Sequence, residues 1–169
     1  FEGVKFGIGG NVNIIQSSNM SIQVETTQKV FDVLEIYVEN SFLKIELKDG
    51  YQIKNSDEIE ITISAPNVHH FTNSGSGSMV VNMDEANYYV NSDIELSGSG
   101  SIQLDYMNAY DQSVLLSGSG NITINEVLSN STTSNISGSG SISLGGASSN
   151  SDINISGSGS FQSFTFLTD

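Results

Sequence analysis

A four-residue motif, Ser-Gly-Ser-Gly, recurs through the second half of the chain at nearly constant intervals. Successive copies start 23, 20, 20 and 19 residues apart. A fixed interval of this size indicates a repeat architecture, in which each repeat is one structural unit stacked on its neighbours. The five copies occupy residues 74–77, 97–100, 117–120, 137–140 and 156–159.

Apolar residues alternate with polar ones on both sides of each motif. Ile94-Glu95-Leu96 precedes one copy and Ile102-Gln103-Leu104 follows it. A period of two is the signature of a β-strand, because every second side chain points to the same face. Each unit therefore predicts a strand, a Ser-Gly corner, a second strand and a polar loop. The predicted loops are residues 108–113, 129–135 and 145–151.

A single unit of this kind cannot bury its apolar face, but stacked units can. Stacking at about 4.8 Å per layer pairs the backbones and aligns equivalent side chains in columns. One predicted column holds Ile94, Val114 and Ile153, and a second holds Ile102, Ile122, Ile142 and Phe161. Propeller blades repeat at about 40 residues and leucine-rich repeats carry Leu and Asn at set positions, and neither fits. The uneven spacing does not fit the strict phasing of left-handed hexapeptide helices. We therefore predict an all-β protein, a right-handed single-stranded parallel β-helix with coils of roughly 20 residues.

The chain is predicted to form one β-helix domain, 1–169. Residues 1–70 form less regular N-terminal coils or a cap, 71–160 the Ser-Gly coils, and 161–169 an aromatic C-terminal cap. The segment Phe6–Asn11 is similar to a degenerate Ser-Gly corner, and Asn40-Ser41 turns either a hairpin or a corner between coils. Val30–Glu35 is the one helix-like stretch, and no helix is predicted from it.

The net charge is −14, with five lysines and no arginine. This composition excludes ordinary nucleic-acid binding, which needs clustered cations, and it disfavours contact of the folded domain with an anionic membrane. No apolar run approaches the roughly 20 residues of a membrane span. The chain opens at Phe1 without a signal peptide, which mature exported proteins have lost, so this opening does not argue against export.

Candidate catalytic groups are sparse. A polysaccharide-active enzyme would need grouped carboxylates, and the available ones are Asp105 and Asp111 around one loop and Asp84-Glu85 in another. We expect these to be solvated surface acids. His69-His70 should point to opposite faces of a strand, which is unsuitable for a shared metal. We predict no catalytic residue, no metal site and no cofactor.

Tyrosines are the sequence's candidates for sugar contacts. Tyr88-Tyr89, Tyr106 and Tyr110 are predicted in or near loops. Exposed aromatic rings can stack on sugars, whereas partial burial under the loops is the simpler structural role.

Three ordered motifs and the Ser-Gly units resemble a known family. They are Phe6 to Ile14, Val38 to Ile45 and Ile61 to Pro66, followed by the apolar-Ser-Gly-Ser-Gly repeats. The chain resembles the putative auto-transporter adhesin, head GIN domain family, described mainly from Bacteroidetes. The resemblance implies a right-handed β-helix, export to the envelope, often as a lipoprotein with a lipid anchor upstream, and an adhesive role. The family often has Asp after Ser-Gly-Ser-Gly, where this chain has Ser78, Ser101, Asn121, Ser141 and Ser160.

The resulting prediction is a non-catalytic protein of the cell envelope, the outer-membrane surface or the secreted fraction, and an adhesin head that presents a rigid polar surface. Its expected partner is a glycan or a host or cell-surface protein, with no binding residue assigned. One alternative is an envelope scaffold that self-associates, which leaves a homo-oligomer open. A second alternative is a polysaccharide-active β-helix enzyme.

Overall fold

The computed structural model describes residues 1–53, 58–83 and 90–167. These residues form one sheet of thirteen strands and one short helix, α1. In chain order they are β1 (Gly3–Phe6), β2 (Asn11–Gln16), β3 (Ser21–Thr26), α1 (Gln28–Phe31), β4 (Leu34–Glu39), β5 (Phe42–Leu47), β6 (Ile59–Ala65), β7 (His70–Asn73), β8 (Ser78–Asn82), β9 (Ser92–Leu96), β10 (Ser101–Leu116), β11 (Asn121–Ile136), β12 (Ser141–Ile155) and β13 (Ser160–Leu167).

The second half of the chain is a parallel β-solenoid, as predicted. Ser101 pairs with Asn121, Asn121 with Ser141, and Ser141 with Ser160, so each coil advances by 20, 20 and 19 residues. Each complete coil has three ribbons of parallel strands. The first ribbon ends before the Ser-Gly corner, the second follows the corner, and the third joins the second to the next coil through residues such as 106–109 and 126–129.

The predicted core columns are present and longer than predicted. Ile102, Ile122, Ile142 and Phe161 are successive partners, and Met79 and Val12 extend their column toward the N-terminal end. In the other column Val114 pairs with Ile94 and with Ser134, which in turn pairs with Ile153. A buried serine therefore interrupts that apolar column.

The polar stretches predicted as loops are strands instead. Residues 108–113, 129–135 and 145–151 continue the parallel pairing without leaving β10, β11 and β12. Backbone pairing needs no apolar side chains, and the polar side chains here bond to one another. Ser129 Oγ lies 2.7 Å from Thr132 Oγ1 and 3.0 Å from Ser148 Oγ. The alternation of apolar residues fails in these segments although the strand continues.

The Ser-Gly corners stack directly, backbone on backbone. Ser119 N donates to Gly98 O at 3.2 Å, and Ser139 N donates to Gly118 O at 3.1 Å. A Cβ placed on Gly118 would lie 1.8 Å from the carbonyl oxygen of Gly98. The motif therefore repeats glycine because the corners approach too closely for any side chain on that position.

The N-terminal strands are not stacked in chain order. β1 lies between β5 and β7, and β2 lies between β6 and β8, so the first coil of the chain is the second parallel coil of the stack. The corner of that coil is Phe6–Asn11, and it lies under the first Ser-Gly copy, with Gly77 N donating to Ile8 O at 3.1 Å. β3 and β4 pair antiparallel with β6 and β5 and form that end of the stack.

The hairpin alternative at Asn40-Ser41 is confirmed. Both residues have positive φ, 50° and 64°, as a two-residue type I′ turn requires. They join β4 to β5, which pair antiparallel. The expectation of no helix is wrong, because the chain forms a single-turn helix, α1, which overlaps the start of Val30–Glu35 and buries Val30. No described helix is long and apolar enough to cross a membrane.

Candidate functional site

The outward side of the second ribbon carries mostly uncharged polar side chains, with one valine, Val80, among them. Because the register is constant, the residues that follow each corner form one column and the residues two places later form a second. We call these twelve positions the serine face. Its columns are Asn11, Ser78, Ser101, Asn121, Ser141 and Ser160, and Asn13, Val80, Gln103, Thr123, Ser143 and Gln162.

The spacing of the serine face is set by the backbone. Neighbouring layers are about 4.8 Å apart, and the two columns, two residues apart, are separated by about 6.6 Å. Hydrogen bonds within the first column hold its side chains in place. Ser101 Oγ donates to Ser78 Oγ at 3.1 Å, and Ser141 Oγ donates to Asn121 Oδ1 at 2.7 Å. The face is thus a regular grid of donors and acceptors on a rigid sheet.

A shallow groove follows the first column. It has a volume of about 390 Å³ and lies between the corners and the serine face. Its walls include Gly77, Ser78, Gly100 and Ser101, and it extends to Asn121. The groove therefore exposes both hydroxyl groups and backbone to solvent at successive layers.

The neutrality of the first column matters for its chemistry. Carboxylates at these positions would lie side by side about 4.8 Å apart and repel one another unless cations were bound between them. Serine and asparagine form hydrogen bonds at the same spacing, as Ser141 and Asn121 do. The charge nearest to this column is Glu60, which pairs with Asn11 at the N-terminal edge and accepts a hydrogen bond from its Nδ2.

The outward side of the first ribbon is different, because it carries charges and aromatic rings. A depression of about 290 Å³ lies there. The Phe42 ring covers Gly3, where a Cβ would lie 2.4 Å from the ring, and Lys5 Nζ is 4.5 Å from the ring centroid. His70 Nδ1 is 3.0 Å from Asp93 Oδ2. Within this depression Lys5 contacts Phe42, and His70 contacts Asp93.

The prediction that His69 and His70 point to opposite faces of one strand is wrong. His69 precedes β7 rather than belonging to it, and the two rings lie together with centroids 4.4 Å apart. Burial, and then the neighbouring His70, lower the pKa of His69. Among the described residues, no three His, Cys, Asp or Glu side chains are placed to hold a metal ion.

The structure does not bring the candidate acids together. Asp105 and Asp111 lie at the two ends of the third ribbon in β10, six residues apart, which is on the order of 15–20 Å along extended chain. Paired catalytic carboxylates lie roughly 5–9.5 Å apart. Asp105 instead accepts a hydrogen bond from Asn125 at 3.1 Å. Asp84-Glu85 lie outside the described residues.

The candidate tyrosines are not loop residues where they are described. Tyr106 and Tyr110 lie within β10, and Tyr110 is 54% exposed. Neither is a member of the serine face. Tyr88-Tyr89 lie outside the described residues.

Sequence reasoning singled out the first column only as a departure from a family pattern. The second column was not identified, because its members share no residue type. The signal that could have found it is positional: each member lies three residues after a Ser-Gly corner. An alignment of the sequence on its Ser-Gly motifs places Gln103, Thr123, Ser143 and Gln162 at equivalent positions.

The described part of the chain defines a class, a parallel β-solenoid in which one outward face, the serine face, is mostly polar and uncharged. Comparison with known families gives the particular identity. The whole chain, residues 1–169, matches the family described as “Putative auto-transporter adhesin, head GIN domain”, and the chain belongs to that family. No curated protein matches it.

Two solved structures are similar along nearly the whole chain. One is a putative adhesin from Bacteroides fragilis, 15% identical, covering 97% of this chain and 92% of that one, with a TM-score of 0.58. The other is a putative adhesin from Parabacteroides distasonis, also 15% identical, with the same coverage and a TM-score of 0.57. At this identity the likeness establishes a common fold. The family and both structures are named as adhesins rather than enzymes.

Proposed function

We propose that this chain is a non-catalytic adhesive module at the cell surface or in the secreted fraction, and that its serine face binds a neutral polysaccharide. The observation that carries the proposal is the uncharged grid, in which every position but Val80 is a hydroxyl or amide side chain, repeated once per coil. Membership of an adhesin family supports the adhesive role. The remaining support comes from charge and multiplicity.

Charge favours a neutral ligand. The five lysines all lie within the first 54 residues, and none is on the serine face. An acidic sugar would find no cation to pair with there and would meet the field of a protein with a net charge of −14. A neutral sugar needs no cation and is not repelled by the negative charge of the protein. It can form hydrogen bonds with serine, asparagine and glutamine.

Multiplicity favours a polymer. The serine face has no aromatic ring, so a sugar there is bound by hydrogen bonds alone, each worth only about 1 kcal/mol net. One sugar unit therefore binds weakly. A polymer that contacts successive layers adds these small terms, because each further contact is intramolecular. Affinity should rise steeply with chain length.

The test is a binding screen on neutral and acidic polysaccharides, followed by an oligosaccharide length series on the best neutral one. The expected result is binding to at least one neutral polymer, no binding of its monosaccharide and no binding to uronic-acid polymers. No neutral polysaccharide bound at high micromolar protein would overturn the proposal. Binding to proteins of the surface matrix, without any glycan dependence, would replace the glycan with a protein ligand.

A further inference from the structure

A cavity of about 790 Å³ lies at the N-terminal end of the serine face, where β5 connects to β6. This connection, residues 48–58, has eleven residues between Leu47 and Ile59, whereas the corner between β1 and β2 and each Ser-Gly corner have four. Residues 48–53 and 58 of this enlarged corner are described. We call the space beside it the corner cavity.

The corner cavity exists because the enlarged corner does not stack closely on its neighbour. In the Ser-Gly corners a Cβ on Gly75 would lie 2.2 Å from Ile8 O, and a Cβ on Gly98 would lie 1.9 Å from Gly75 O. In the corner that faces residues 48–58, the equivalent position holds Ile8, whose side chain is buried. There is room for a large side chain where later corners have none. Insertions in repeat proteins often form binding surfaces, and this one encloses a cavity.

Tyr51 gives the corner cavity an aromatic wall, and this side chain is 56% exposed. The turn that carries it is fixed to the body of the solenoid. Lys48 N donates to Val33 O at 2.9 Å, and Tyr51 N donates to Lys48 O at 3.2 Å. On either side of the turn, Leu47 and Ile53 pack against the core. The ring is therefore presented from an anchored turn.

The corner cavity is continuous with the groove of the serine face. Gly10, Asn11 and Ser76 line both of them. Asn11, the first member of the first column, donates a hydrogen bond to Glu60, which also lines the cavity. Asp49 adds a second exposed carboxylate to the lining. Carboxylates accept strong hydrogen bonds from hydroxyl groups and repel acidic ligands.

We infer that the corner cavity is a further subsite for the polysaccharide, in which a neutral sugar unit stacks on the Tyr51 ring and donates hydrogen bonds to Asp49 and Glu60. This subsite rests on the proposed function of the serine face. That face offers hydrogen bonds alone, so the corner cavity supplies the stacking contact that the face lacks. Its volume falls within the roughly 300–1,000 Å³ of small-molecule sites. A polymer lying in the groove reaches the cavity along one surface, so this contact adds to the others intramolecularly.

The test is affinity electrophoresis of the whole chain on the neutral polysaccharide that the wild type binds, with three tyrosine variants. Tyr51→Ala removes the ring, and Tyr51→Phe keeps it. Tyr110→Ala is the matched control, since Tyr110 is 54% exposed and lines neither the cavity nor the groove. We expect Tyr51→Ala to bind about fivefold more weakly, and Tyr51→Phe and Tyr110→Ala to bind like the wild type. Thermal unfolding shows that each variant is folded.

Nuclear magnetic resonance locates the contact without relying on an affinity. The ring signals of Tyr51, assigned by their absence in Tyr51→Ala, should shift when an oligosaccharide of the same polymer is added. Those of Tyr110 should not shift. Ring signals of Tyr51 that stay unchanged at saturating oligosaccharide would overturn the subsite.

The serine-face variant Ser143→Glu separates this subsite from the proposed function. Weaker binding in Ser143→Glu with wild-type affinity in Tyr51→Ala would overturn the subsite and leave the proposed function standing. Weaker binding in Tyr51→Ala with wild-type affinity in Ser143→Glu would support the cavity and remove the serine face as the binding surface. If the wild type binds no neutral polysaccharide, both fail.

Discussion

Asn73 holds Gly77 in place: its side-chain Nδ2 donates to the Gly77 carbonyl oxygen at 2.8 Å from a fully buried position. The same amide donates to Ser101 O at 3.1 Å and accepts from Gly75 N at 3.0 Å. Asn73 occupies a core column between Phe6 and Leu96. One polar residue in the apolar stack thus fixes the first Ser-Gly corner.

Replacing this asparagine should be costly. Asn73→Leu removes the side-chain hydrogen bonds to Gly75 N and Gly77 O of the corner and to Ser101 O, and we expect a loss of about 3 kcal/mol in the free energy of unfolding. Urea denaturation measures it. The matched control Asn135→Leu, at a partly exposed outward position, should change stability by no more than about 0.5 kcal/mol. Equal effects of the two would show that the corner does not depend on Asn73.

The close approach of the corners predicts a difference between two glycines. Gly118→Ala places a Cβ against the Gly98 carbonyl oxygen, so a backbone segment must move, and we expect a loss of about 3 kcal/mol or more. Gly9→Ala meets only the Ser76 hydroxyl, at 3.3 Å, and should change stability by about 1 kcal/mol or less. Thermal unfolding of both variants decides this. Similar melting temperatures would contradict the stacked-corner geometry.

Replacing the buried Ser134 with valine should stabilise the fold. Its Oγ is buried and has no hydrogen-bond partner, and it lies between Val114 and Ile153 in an apolar column. Ser134→Val removes the unsatisfied hydroxyl and should stabilise the fold by about 1 kcal/mol. The control is Thr132→Val in the same coil, which removes the 2.7 Å bond with Ser129 and should destabilise it by about 1 kcal/mol. Denaturation midpoints that shift in the same direction for both would be inconsistent with this assignment.

Acid should weaken the fold through His69. Because burial lowers the pKa of His69 from its ordinary 6.5, the folded chain favours the neutral ring and the unfolded chain binds more protons. Its stabilising effect is therefore complete above about pH 6.5 and declines as the pH falls below that value. Urea midpoints of the wild type and His69→Gln, measured at several pH values on both sides of 6.5, test this. The wild type should lose more stability on acidification than the variant, and a pH-independent difference would be the contrary result.

The sequence predicted the regular half of the fold because period-two alternation and a fixed repeat each constrain it. The column of Ile102, Ile122 and Ile142 could be predicted directly from the repeat. The order of the N-terminal strands could not, because alternation can indicate a strand without showing which strands are neighbours, as β1 and β5 are. The sequence did not indicate that the polar segments of β10 to β12 are strands, because apolar residues do not alternate there. They are strands all the same, because parallel pairing uses backbone groups.

The candidate site was only half visible in the sequence. The residue after each corner could be identified because it follows a recognisable motif. The planar alignment of the second column depends on register, which only stacking defines. The ring contact of His69 and His70 depends on where β7 begins: His69 precedes the strand, so the two rings lie together and not on opposite faces.

The central claim is that the serine face, rather than another surface, binds the ligand. Two variants of one coil test it directly: Ser143→Glu lies on the serine face and Asn135→Glu lies outward on the first ribbon, and both positions are partly exposed. Their affinities for the neutral polysaccharide bound by the wild type are to be measured by affinity electrophoresis. We expect Ser143→Glu to bind at least tenfold more weakly and Asn135→Glu to bind like the wild type. Loss of binding in Asn135→Glu with full binding in Ser143→Glu would contradict the claim.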